Sequence, residues 1–149
     1  MDIFDHDGNF GHMLGRTSRA MLNMLQKKFR QAGVDITVEQ WTLLINIRNA
    51  GGASQQKLAE LVYLDKTTIA RLVAGLEKKG LVSRTSHHAD RRQKLPVITE
   101  RGIAVLAALK PVALAAQKQV LRGIDTEKLD ACREVLHRVY GGILGGHDE

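Results

Sequence analysis

Between Asp65 and Arg92 the chain carries side chains suited to work on a polyanion. Lys66, Thr67, Thr68, Ala70 and Arg71 fall close together, and Asp90, Arg91 and Arg92 follow in a polar loop. An arginine can give two parallel N–H donors to the O6 and N7 of guanine, while Thr67 or Ala70 can lie against a thymine methyl. Paired arginines on a protruding loop suit a narrow minor groove, where negative potential is enhanced over A·T-rich sequence. Asp90 would repel a phosphate, so its expected task is to hold an arginine or the turn amides in one geometry, which reduces the entropy lost on binding. Upstream, Ser54, Gln55 and Gln56 open a helix, where free amides favour a phosphate; a merely capped, solvated helix end is the alternative. Arg84 adds a cation between the two groups.

These residues need elements to position them. Ile69, Leu72, Val73 and Leu76 occupy i, i+3, i+4 and i+7, so a helix from Asp65 to Lys79 would bury that face and leave Lys66, Thr67, Thr68, Ala70, Arg71 and Ala74 outward. Asp65 reads as its N-cap and Gly80 as the C′ glycine. Ser54 caps a shorter helix, Gln55 to Val62, with Leu58, Leu61 and Val62 on one face. Two short helices joined at Tyr63-Leu64, the second with a small polar surface, make a helix-turn-helix. Leu81 to Ser86 and Gln93 to Ile98 read as strands around the charged loop, completing a winged helix.

Charge distribution supports the same chemistry. The 149 residues carry a net +6, but Ser54 to Arg101 holds ten Lys/Arg against five Asp/Glu, and the remainder twelve against eleven. Such a concentrated field attracts nucleic acid. Hydrophobic residues are 44% and aromatics only 4%, which suits aliphatic, mainly helical packing. The single cysteine, Cys132, excludes an internal disulfide and a multi-thiol zinc site. No cofactor is expected; His6 with His12, and His87 with His88, lack the spacing of a metal site. Gly102 to Ala116, the most apolar run, is interrupted by Lys110-Pro111 and reads as too short to span a bilayer. A cytoplasmic protein with no membrane partner is the expectation. Neither a phosphate-cradling glycine loop after a strand nor a nucleophile elbow is present, so catalysis is not expected.

The flanks read as helices. Residues 8 to 32 form an amphipathic stripe through Phe10, Leu14, Met21 and Met24, the methionines reading as core gap fillers. Thr37 and Gln40 have capping-box spacing ahead of a helix with Val38, Trp41, Leu44 and Ile45 on one face. Thr99 caps a helix in which Pro111 should cause a kink or break. Asp125 to Glu127 open a last helix striped by Leu129, Cys132, Leu136, Val139, Tyr140 and Ile143, with Cys132 read as a small buried hydrophobe.

Taken together, Gln56 to Glu60, Asp65 to Val73, Leu76 to Arg84, Asp90-Arg91-Arg92 and Thr99-Glu100-Arg101-Gly102 resemble the MarR family of bacterial transcription regulators. The resemblance implies a mainly α fold with a small β-hairpin: a winged helix-turn-helix head, residues 36–100, and a helical dimerisation region from 8–33 with 101–146. It implies a homodimer with recognition helices in the major groove and wings in the minor groove. Lys66 to Thr68 and Arg71 fall on the family's contacting turn, and Arg92 on its wing arginine. Pro96 departs from the family's usual aliphatic residue, and a strand that cannot donate there should be an edge or frayed.

The expected function is a sequence-specific regulator of double-stranded DNA, a ligand-responsive repressor on a pseudo-palindromic operator. The rivals are a protein-docking winged helix and a non-specific chromosome-coating protein. A small aromatic effector is a further expected partner, with Met13, Trp41 and Tyr63 as its pocket, although ordinary core packing is the favoured account of Met13 and Trp41.

Overall fold

The computed structural model describes residues 4–5, 7–86 and 94–146. The elements are α1 (Phe10–Gln31), α2 (Val38–Ala50), α3 (Gln55–Val62), α4 (Lys66–Lys78), β1 (Val82–Ser86), β2 (Lys94–Ile98), α5 (Glu100–Val120) and α6 (Thr126–Gly145). The chain forms two compact units, one up to Ala116 and one from Gln117.

Local capping chemistry sets the helix starts. Thr37 Oγ1 accepts the Gln40 amide at 3.1 Å while the Gln40 side chain accepts the Thr37 amide at 3.2 Å, a complete capping box. Ser54 Oγ accepts from Lys57 at 3.1 Å, and Asp65 Oδ1 from Thr68 at 2.7 Å. In the first unit α2, α3 and α4 pack on one another and on the hairpin. The core is aliphatic: Leu43, Leu44, Leu58, Ile69, Leu72, Val73 and Leu76, joined by Phe29 from α1 and by Leu106 and Leu109 from α5.

β1 and β2 pair antiparallel without interruption from Val82↔Ile98 to Ser86↔Lys94. Pro96 sits in register opposite Arg84 and is fully buried. The strand does not fray: a two-stranded sheet has only edges, so an unpaired face is available for the ring and the missing donor is tolerated. A tight joint fixes the hairpin to α5. Thr99 Oγ1 donates to the Gly80 carbonyl at 2.7 Å and accepts the Gly102 amide at 3.1 Å, and the Thr99 amide donates to the Leu81 carbonyl at 3.0 Å. A methyl group at Gly102 would fall 2.4 Å from that same Leu81 oxygen. The Thr-x-x-Gly spacing is therefore a packing requirement at the base of the wing.

Several expectations need correction. α5 runs unbroken through Pro111 for 21 residues. The stripe Gly102, Leu106, Leu109 and Ala116 is buried along one side, and packing over four turns outweighs one lost backbone bond. By length and composition α5 is long and apolar enough to cross a membrane, contrary to the sequence reading; its buried stripe is what a core helix of a globular head also shows. Leu61 points outward, with Ala59 taking its place beside Leu58. Met13 and Met21 are exposed rather than in the core, and Cys132 is exposed rather than buried. α6 buries no residue within the chain.

Candidate nucleic-acid interface

The turn between α3 and α4 is made without glycine. Tyr63 adopts the left-handed region at φ 55, and its amide and that of Leu64 both bond to the Ala59 carbonyl, the latter at 3.0 Å. This Schellman-type closure normally uses glycine, since a Cβ in that region costs about 1–2 kcal/mol. The strain sits between the two helices whose relative placement matters most.

Asp65 then starts α4. Its Oδ2 accepts the Thr68 hydroxyl at 2.8 Å, beside the Thr68 amide on Oδ1. The Thr68 amide, followed by its hydroxyl, holds the fully exposed Asp65 carboxyl below its ordinary range. Thr68 is thus half-buried with its proton committed to the cap, as is Ala70 half-buried, whereas Lys66, Thr67 and Arg71 stand out from the helix. Ile69, Leu72, Val73 and Leu76 are buried, so the inward face is the one that the spacing requires.

Ser54, Gln55 and Gln56 at the α3 N-terminus meet Lys66 and the wing's Lys94 around an open cavity of about 240 Å³. The sequence reading named the first four and missed Lys94, which is 28 positions from Lys66 and reaches it only because β2 folds back. Gln55 Oε1 is buried there without a hydrogen-bond partner among the described residues. A concave site with two ammonium groups and helix-terminal amides can seat a phosphate.

Not every cation faces outward alone. Arg84 Nε donates to Glu77 Oε2 at 2.7 Å, which ties β1 to the end of α4. Arg71 Nη2 lies 3.9 Å from Glu39 Oε2 on α2, both side chains being more than half exposed. Lys79 Nζ donates to the Asp35 carbonyl and to Gln40 Oε1, each at 2.9 Å. These acids and the buried Gln40 were not among the expected site residues, because only the fold brings them alongside their partners. Asp90, Arg91 and Arg92, and the histidines at 87 and 88, lie outside the described residues.

Met13, Trp41 and Tyr63 do not converge on a described cavity. Met13 and Tyr63 are exposed, while Trp41 is half-buried edge-on to Phe29, ring centres 5.4 Å apart. A second cavity, about 320 Å³, is lined by Gln26, Arg30, Gly33 to Ile36 and Thr37 and includes none of the three.

The sequence profile of the MarR family matches residues 36–94. The chain is 32% identical to the transcriptional regulator PA3341, over 91% of this chain and 98% of that one, with a TM-score of 0.79. The chain belongs to the MarR family. Among MarR-family structures it is also similar to CouR from Rhodococcus jostii RHA1 bound to p-coumaroyl-CoA, at 28% identity, 91% and 94% coverage and TM-score 0.78. A mutant MarR from E. coli complexed with operator DNA shares the fold at TM-score 0.82, with 21% identity over 93% of this chain and 99% of that one. The mainly helical winged helix-turn-helix is therefore the MarR fold, and the family's work is DNA-binding transcription regulation rather than catalysis.

Proposed function

We propose that this chain is a ligand-responsive repressor that binds a pseudo-palindromic operator as a homodimer in the cytoplasm. The observation that carries the DNA reading is the outward face of α4: Lys66, Thr67 and Arg71 are exposed on it, and Lys66 also lines a cavity with Ser54, Gln55, Gln56, Lys94 and Leu95. In this reading Arg71 and Thr67 address base edges, and Ser54, Gln55, Gln56 and Lys66 hold phosphates. Thr68 and Ala70 complete the surface, Arg84 braces the wing, and Arg91 and Arg92 enter the minor groove with Asp90 orienting them. Residues 36–100 are the head.

Residues 8–33 and 101–146 would form the dimer arm. Phe10, Met13, Leu14, Met21 and Leu22 on α1 are exposed, as are Leu136, Val139, Tyr140 and Ile143 on α6. Exposed apolar runs of this length call for a protein partner, and a second copy satisfies them symmetrically. Two reading heads would then address half-sites about 10 bp apart, centre to centre. The ligand response is supported by CouR, whose structure holds p-coumaroyl-CoA; a small aromatic acid is the effector class, with Met13, Trp41 and Tyr63 as its first candidates for contact.

Selection of bound duplexes from random DNA tests the reading. A pseudo-palindromic motif is expected, with log K falling as log salt rises. Binding without a motif would instead favour a chromosome-coating protein. No duplex binding at low salt would favour a protein-docking module and refute the proposal.

A further inference from the structure

Arg71 is the only arginine on α4 and stands on its outward face. The carboxylate opposite it, 3.9 Å away, belongs to Glu39 in the first turn of α2, outside the basic segment altogether. An acid at that position already has a structural use, since it complements the positive end of α2. That use does not require an arginine across from it, and Arg71 is placed where it should meet DNA. An acid beside a DNA-facing arginine weakens any contact made through charge alone.

From this juxtaposition we propose that Glu39 is a specificity-determining residue, acting by charge on how Arg71 is used; the inference rests on the DNA-binding reading above. A guanidinium has five N–H donors in a planar fork. One edge can face Glu39 while another meets the O6 and N7 of a guanine in the correct register. On the wrong sequence Arg71 has only a phosphate to take, and there the neighbouring carboxylate offsets its charge and is itself repelled by the backbone. Glu39 thus supplies the repulsive element that discrimination requires, and Arg71 the attractive one.

The test uses the full chain and two duplexes of equal length, the selected motif and a scrambled version, each titrated across a salt series. Glu39→Gln should tighten binding to the scrambled duplex and lower the specificity ratio by about two- to five-fold, the scale of one exposed charge pair. The salt slope on the scrambled duplex should steepen by about 0.9, as Arg71 becomes free to neutralise one more phosphate. In the Arg71→Ala background, Glu39→Gln should leave the ratio unchanged, because any general charge effect cancels between duplexes of one length. Glu39→Ala removes the same charge with a strong helix former and should reproduce the result. An unchanged ratio in both variants, or an equal drop in the Arg71→Ala background, overturns the inference while leaving the DNA-binding reading intact. A wild-type chain with no preference between the duplexes overturns both.

Discussion

Replacing Gly102 by alanine sets a local preference against a tertiary constraint. Within a helix, alanine is favoured over glycine by about 1 kcal/mol, so local propensity makes Gly102→Ala stabilising. The structure argues the reverse. The new methyl group would sit 2.4 Å from the Leu81 carbonyl oxygen and 2.7 Å from Ile98 Cγ1. Ile98 can turn, but Leu81 cannot move without loosening its 3.0 Å bond from the Thr99 amide. Overpacking costs about 1–3 kcal/mol, and weakening that bond adds about 1 kcal/mol. After subtracting the helical gain, the variant should be destabilised by about 1–3 kcal/mol, or a fall in Tm of about 2–12 °C for a chain of this size. Urea and thermal unfolding at one fixed protein concentration measure it. Gly75→Ala is the comparison: there the new methyl meets Gln40 Nε2 at 2.7 Å, a side-chain end rather than backbone, whose Oε1 accepts the Thr37 amide and Lys79 Nζ; loosening those bonds against the helical gain should leave a net loss of about 1 kcal/mol. A Gly102→Ala chain as stable as wild type, or more so, would refute the view that α5 is seated by close approach to the wing base.

Three further outcomes are expected. Arg71→Ala should reduce discrimination between operator and scrambled duplex by about 1–3 kcal/mol in competition titrations, whereas Arg92→Ala should weaken binding most on A·T-rich flanks; equal loss on all sequences for Arg71→Ala would remove its base-reading role. Because folding lowers the Asp65 pKa, its capping stabilisation is fully present above the ordinary value of 3.8 and is lost as pH falls through the lower folded value. Wild type should therefore exceed Asp65→Asn in stability at neutral pH and converge on it in acid, and a pH-independent difference in unfolding titrations would contradict this. Leu136→Glu, on an apolar stripe exposed in the single chain, should shift sedimentation equilibrium toward monomer and weaken operator binding; an unchanged mass would place the interface elsewhere.

Where helices begin was legible because capping is local. Thr37, Ser54 and Asp65 each satisfy an amide three residues on, and a bond spanning three residues can be read from spacing alone. The inward face of α4 was legible for a similar reason, since Ile69, Leu72, Val73 and Leu76 recur with the helical period. Periodicity names an apolar face without saying which molecule covers it. That is why Met13 and Met21 were expected in the core and are exposed, and why Cys132 on α6 was assigned to an interior that the single chain does not supply. Pro111 shows the opposite error: a local rule forecast a kink or break, and the stripe buried along α5 carried the helix through without a break.

The sequence by itself therefore determined the helix-turn-helix, its capping, its basic character and the family, all properties of short spacings and side-chain type. Only the tertiary structure decided what the charges do. Glu39 reaches Arg71 from 32 residues away in the chain, Lys79 reaches Asp35 and Gln40, and Lys94 joins Ser54 and Lys66 around one cavity. Such pairings depend on how helices and hairpin pack in three dimensions, and a charge carries no local periodicity from which its distant partner could be inferred.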